Sequence, residues 1–308
     1  MAETKGEKLG LFAMLLLLGA GWGICIPLTV ISVSTGYQPA GLIFWQVTIV
    51  AVMLTALTYA RGKRLPLDAK SLRTYAIVAL LGALLPDTAY YAAAPYLSGG
   101  VLSIVISSAP LFTFLIALGL GTDRFAVRRM IGLVCGMLGI VILFGPQASL
   151  SGPTVPGGVS LLVIGLALLA PLGYASESNF VSTADLSQMG PIRLLAGASI
   201  VASLASFPVA ILTGQFISPL PPWGAPELAI LASSIVHGTT YASYVWLNRR
   251  AGPTFASQSA YLVTGFGVLW SMLLLGESYG GMFWAAFALM CVGVVLVQPR
   301  RRLKSVTA

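Results

Sequence analysis

Ten apolar runs, most of them 20 to 24 residues long, follow one another along this 308-residue chain with little between them. They fall at about 10–33, 39–60, 72–94, 99–120, 127–145, 158–180, 191–213, 226–248, 254–275 and 280–298. A helix rises about 1.5 Å per residue, so a run of about 20 apolar residues matches the ~30 Å hydrocarbon core of a bilayer. In hydrocarbon each backbone N–H and C=O must be paired within the protein, which leaves the α-helix for each run. Composition agrees: the chain is 57% hydrophobic and 8% charged, where soluble domains carry about 25% charged residues. The expectation is an all-α polytopic membrane protein with no run left over for a soluble domain. The first run, after Lys5 and Lys8, begins like a secretory signal but continues through Trp22 to about Val33. That is longer than a signal's apolar core, so it reads as a retained first span.

The charges test the count. With the N-terminus in the cytoplasm and strict alternation, the cytoplasmic segments are the N-terminus, 61–73, 123–129, 181–190, 248–253 and the C-terminal tail. All 17 Lys and Arg fall in or beside these segments, and the outer segments carry only Glu227 and Glu277. This is the positive-inside pattern, and one missed span would scramble it. The net charge of +8 therefore reads as orientation in the lipid bilayer, and no nucleic-acid partner is expected. The site of residence implied is a bacterial-type inner membrane with both termini cytoplasmic. Cys25, Cys135 and Cys291 each lie inside an apolar run without paired spacing, so neither a disulfide nor a metal site is indicated.

The chain also repeats itself. Gly99–Gly121 is a 23-residue run, small residues first and bulky aliphatics last, and Thr254–Gly276 writes the same pattern 155 residues later. Each ends on a Gly followed closely by an acid, Asp123 or Glu277, and then by a second Gly-studded run. The break Gly145–Gly158, rich in Gly, Pro and Ser, divides the chain into a first repeat (1–148), a periplasmic linker (149–157) and a second repeat (158–308). Five spans per half is an odd number, so the second half enters the membrane from the opposite side. The fold expected is ten transmembrane helices as two inverted-topology five-helix repeats. That architecture belongs to secondary transporters, whose two halves open alternately around a site at their interface. One chain already supplies both halves, so dimerisation is not required, and monomer or dimer stays open.

These features resemble the EamA-like exporters of the drug/metabolite transporter superfamily. The residues that carry the likeness are Gly21–Gly23, Ser98–Gly99–Gly100, Pro110, Gly121 and Gly132/Gly139 in the first half, and Gly252–Pro253, Gly265, Gly276–Glu277 and Gly293 in the second. The resemblance covers the whole chain and, within the family, is most similar to aromatic amino-acid exporters. It implies a gradient-driven exporter of small metabolites, with amino acids a common substrate class. Two positions depart from the pattern: Gln46 stands where many members have Arg, and Gly265 where the second repeat commonly has Pro.

Ionisable residues at membrane depth are expensive and mark candidate sites. Asp87 follows Pro86 in the third span and shares a helical face with Tyr91 four residues on, one residue past Tyr90. It reads as a proton acceptor, as a partner for a substrate ammonium, or as a protonated packing residue. His237 lies on a polar stripe with Ser234, Tyr241, Tyr244 and Asn248, facing a cavity or a neighbouring helix. Glu177 sits near the cytoplasmic end of the sixth span beside Tyr174, as an interfacial acid or an inner gate. The expected cavity is lined by Trp22, Gln46, Asp87, Tyr90, Tyr91, Ser107, His237, Tyr241, Tyr244, Gln258 and Tyr261, with Trp45 as a further candidate. Asp87, Glu177 and His237 are candidate gating or coupling groups, and Pro86, Pro110 and Gly265 candidate hinge or packing positions. Such a lining suits a small amphipathic solute better than an inorganic ion.

Catalysis has little support, because a single histidine, no metal-ligand spacing, no nucleophile elbow and no P-loop are present, and no cofactor is expected. A channel is the weaker transport reading, since no charge ring or carbonyl filter signature appears. The functional expectation is an exporter of neutral or aromatic amino acids working by alternating access, with a multidrug or organic-cation exporter as the rival.

Overall fold

The computed structural model describes residues 5–122, 125, 127–144, 148–149, 159–184, 186, 189–251 and 259–297. Among the described residues each apolar run is helical, two of them in more than one segment. The helices are α1 (Lys5–Val33), α2 (Pro39–Ala60), α3 (Ala69–Ala79), α4 (Leu85–Ala93), α5 (Gly99–Ile106), α6 (Ala109–Gly119) and α7 (Val127–Phe144). The second half continues with α8 (Leu161–Thr183), α9 (Pro191–Leu212), α10 (Ala225–Ala251), α11 (Ser259–Leu275) and α12 (Gly281–Val297). The only sheet among the described residues is a two-residue parallel ladder of β1 (Ala148–Ser149) with β2 (Val159–Ser160). The linker expected at 149–157 lies, apart from Ser149, outside the described residues.

Local chemistry sets the interruptions. Asp68 caps α3, accepting from the Ser71 N–H at 3.1 Å and the Ser71 hydroxyl at 2.7 Å. A π-helical turn, Leu80–Leu84, joins α3 to α4, and the Leu85 N–H reaches back to the Leu80 carbonyl. Pro86 follows in the first turn of α4. It lacks an N–H and crowds the carbonyl four residues back, and the wider turn makes room for both defects. The run 99–120, expected as one continuous helix, breaks at Ser107–Ser108. Both hydroxyls fold back on their own chain, to the Ile104 carbonyl at 2.7 Å and the Val105 carbonyl at 2.6 Å. Pro110 in the first turn of α6 cannot extend the α5 ladder. α6 and α11 both stop at a glycine in the left-handed region, Gly121 (φ +69°) and Gly276 (φ +66°), the two ends of the repeated pattern.

Six apolar segments among the described residues are long enough to cross a membrane: Leu9–Val33, Pro39–Ala60, Ala69–Tyr96, Gly99–Gly119, Leu161–Val181 and Pro191–Leu212. Shorter apolar stretches follow at Leu262–Leu275 and Gly281–Gly293. Large apolar side chains face outward along these helices, among them Leu17, Leu204 and Leu212. Water penalises such a surface and lipid does not.

Inside, helices meet on small residues. Gly99 lies against Ser271 and Gly267 against Ser103, so a Gly-x-x-x-Ser on α5 interlocks with a Gly-x-x-x-Ser on α11. Gly293 of α12 sits on the backbone of Gly132 and Gly136 of α7. Lipid offers no hydrophobic drive between helices, so close approach of this kind supplies the association. The principal pairings are α1 with α10 and α11, α2 with α9 and α10, α3 with α9, α4 with α8, α6 with α8, α5 with α11 and α7 with α12. Exchanging the first five apolar runs for the last five leaves this set of pairings unchanged.

Candidate substrate site

The polar centre lies where α2 and α4 of the first half meet α8 of the second. Asp87, buried in the first turn of α4, accepts two hydrogen bonds from neutral donors. The Tyr174 hydroxyl of α8 donates to Oδ1 at 2.7 Å, and Gln46 Nε2 of α2 donates to Oδ2 at 3.0 Å. The Tyr91 hydroxyl in turn donates to Gln46 Oε1. One turn of α4 thus delivers both Asp87 and Tyr91 to the same glutamine, as their four-residue spacing requires. Pro86, beside Asp87, packs against Gly173 of α8.

One turn along α8 from Tyr174 lies Glu177, half-buried. Tyr241 of α10 lies within reach of its carboxylate. The carboxylate rests on Gly82, in the π-helical turn: a Cβ there would lie 2.8 Å from Glu177 Cδ and 3.0 Å from Oε2. The turn that accommodates Pro86 therefore also opens a seat for the second acid.

Tyr241 leads on to an aromatic wall. Trp22 of α1 stands 5.3 Å from Tyr244, 6.3 Å from Tyr241 and 6.4 Å from His237, ring centre to ring centre. His237 stacks on Tyr241 at 6.4 Å. Tyr90, 8% exposed, packs edge-on to Tyr91, and its hydroxyl has no hydrogen-bond partner among the described residues. That hydroxyl is within electrostatic reach of Asp87 and Tyr174. A buried hydroxyl without a partner is costly.

The fold thus gathers Trp22, Gln46, Asp87, Tyr90, Tyr91, Glu177, His237, Tyr241 and Tyr244. It does not bring in Ser107, whose hydroxyl is turned back on its own helix. Trp45 is likewise elsewhere: its indole N–H donates to the Ile217 carbonyl at 2.9 Å within an aromatic group of Phe44 and Phe216. At Gly265 an added Cβ would meet nothing within 4 Å, so no packing contact requires the glycine there. Pro110 serves the break between α5 and α6. Gln258 and the side chain of Tyr261 lie outside the described residues. Sequence reasoning missed Gly82, for which no signal existed, and the role of Tyr174, for which the three-residue spacing to Glu177 was the available clue.

A second polar junction ties the end of α11 to the start of α5. Glu277, after α11, accepts from the N–H groups of Gly99 (2.8 Å) and Gly100 (3.2 Å), the start of α5. The Tyr279 hydroxyl donates to the same carboxylate, and its ring covers Gly100 and stacks on Phe283 at 3.9 Å. The Tyr37 hydroxyl, between α1 and α2, donates to Glu227, which holds the phenol above its usual range.

Apolar helices with outward leucines around a buried polar centre define a multi-pass membrane protein. The sequence profile of the EamA-like transporter family matches the chain twice, at residues 9–145 and 161–298, and the chain belongs to that family. It is 26% identical over 303 residues to the "Uncharacterized inner membrane transporter YedA" of Escherichia coli strain K12, covering 94% of this chain and 91% of that one. It is also 26% identical over 113 residues to an "Uncharacterized transporter" of Archaeoglobus fulgidus, 37% of each chain. Among solved structures, one titled only "Crystal structure of protein" superposes with a TM-score of 0.62 at 19% identity, over 92% of this chain and 96% of that one. That likeness carries the fold alone.

Proposed function

We propose that the protein is a secondary transporter that exports small amphipathic solutes bearing an ammonium group, by alternating access around the Asp87 centre. Amino acids and organic cations both carry that group. The proposed architecture is ten spans in two inverted repeats, 1–148 and 158–308, with the termini in the cytoplasm. α3 with α4 is then one span, and α5 with α6 another. Two observations support it: the family profile matches once in each half, and the helix pairings survive exchange of the halves. The observation that carries the function is Asp87, a buried carboxylate held by Gln46 from one half and Tyr174 from the other. A group bridging the halves is disturbed whenever they rock, so its occupant is coupled to the change of access.

The test is efflux from liposomes holding the purified protein, with labelled amino acids and a labelled organic cation inside. Flux of at least one solute above protein-free liposomes, lost in Asp87→Asn, is the expected result. No flux of any solute by folded protein would overturn the reading.

A further inference from the structure

We propose that Glu277, Tyr279 and the glycine pair Gly99–Gly100 form a latch between the two halves, which holds the molecule closed at the end where α5 begins. On the topology proposed above, that end faces away from the cytoplasm. The inference rests on the transport reading and adds its resting state, closed to the outside.

The two repeated runs are joined at one end only. α11 packs along α5, where Gly99 lies against Ser271 and Gly267 against Ser103. α6 continues the first run past the break at Ser107–Ser108, and it packs instead on α8, α12 and α7. Among the described residues α6 has no pairing of comparable extent with α11. Pro110 forbids a continuous backbone ladder across the break. α11 carries Gly265 at the matching position and runs unbroken from Ser259 to Leu275. The bend in the first copy therefore turns α6 away from its counterpart.

The joined end is fastened by polar groups. The first N–H groups of a helix have no partner in their own helix, and Glu277 offers its carboxylate to two of them, Gly99 at 2.8 Å and Gly100 at 3.2 Å. Hydrogen bonds to an ionised acceptor are about twice as strong as neutral ones. Tyr279 donates to the same carboxylate and lays its ring on Gly100, where any Cβ would strike it. Each of these contacts to Gly99 and Gly100 comes from the other half of the chain, so all must part if the halves separate here. Beside them a recess of about 450 Å³ reaches from Val30, Val33 and Ser34 of α1 to Ser98, the residue before Gly99. The start of α5 thus borders open space on its α1 side, into which it can move when released. The arrangement is also written only once. At the positions 155 residues from Gly99, Gly100 and Tyr279 the chain carries Thr254, Phe255 and Arg124. Phe255 lacks the bare backbone on which Tyr279 rests at Gly100. The latch therefore biases the molecule toward one of its two states instead of fastening each in turn.

The experiment uses the full chain without Cys25, Cys135 and Cys291 and with one cysteine in place of Ser103, which is buried in the seam one turn from Gly99. Ser271→Cys, across the seam, is the second probe position. In intact cells, the rate of reaction with an impermeant methanethiosulfonate reads how often the seam opens to the outside. Expected is a slow reaction with the latch intact, about tenfold faster in Glu277→Gln, where the acceptor loses its charge. Tyr279→Phe, which keeps the ring, raises the rate by less. Gly293→Ala loosens α7 from α12 and should leave the rate unchanged, although it too lowers the melting midpoint. An unchanged rate in Glu277→Gln, or an equal rise in Gly293→Ala, would overturn the proposal and leave the junction a helix cap alone. Reaction only after permeabilisation would overturn the outward assignment. Efflux by the protein together with an unchanged rate would sink the latch and leave the transporter reading intact, whereas absence of efflux would sink that reading.

Discussion

Asp87 and Glu177 differ in how much of their surroundings the sequence revealed, and the difference is physical. Asp87 was legible with Tyr91 because helical spacing fixes which residues share a face. Its partners Gln46 and Tyr174 come from helices 41 and 87 residues away in sequence, which no local pattern encodes. Removing the Tyr174 hydroxyl leaves Oδ1 of Asp87 without that donor, so Tyr174→Phe is expected to cost about 1–3 kcal/mol. A thermal midpoint in detergent, lower than that of Tyr59→Phe at an exposed site, is the check. Gly82→Ala should separate site from scaffold. Its Cβ meets the far end of a flexible side chain, which can swing aside, so stability should change by no more than about 1 kcal/mol. Transport should nevertheless fall, because the Glu177 carboxylate is pushed from its seat. A variant that loses stability and transport together would show the glycine to be structural only.

The elements were mostly legible as apolar runs, and their interruptions were not. Pro86 announced a kink, but the π turn before it and the break at Ser107–Ser108 depend on where each backbone group finds a partner. The repeated Gly–acid ending was visible, whereas the job of Glu277 was not, because its partners are backbone groups on another helix. Losing two charge-assisted caps at the start of α5, Glu277→Ala should destabilise the protein by about 1–2 kcal/mol, with Glu277→Gln recovering part of the loss in the same melting assay. Gly293→Ala contrasts with Gly82→Ala. The new Cβ would lie 2.7 Å from the Gly132 carbonyl oxygen and 2.8 Å from the Gly136 nitrogen, backbone atoms that cannot swing away. Separation of α7 from α12 at about 1–3 kcal/mol is the expected price, read as a lower midpoint.

For the whole molecule, composition and charge placement announced the membrane, and the repeat announced two halves. The convergence of α1, α2, α4, α8 and α10 on one polar centre was not readable, because it depends on how those halves dock. Orientation has its own check in a background lacking Cys25, Cys135 and Cys291. A cysteine at Ser218 should react with an impermeant maleimide on intact cells, and one at Lys63 only after permeabilisation. The central claim is that access alternates between the two sides. Counterflow in liposomes tests it most directly: excess unlabelled trimethyl(2-phenylethyl)ammonium inside, with a trace of labelled compound outside. The account predicts a transient overshoot of label above its equilibrium level, abolished in Asp87→Asn. A steady approach to equilibrium with no overshoot, at the same rate whether or not solute is loaded inside, would mark an open pore and contradict it.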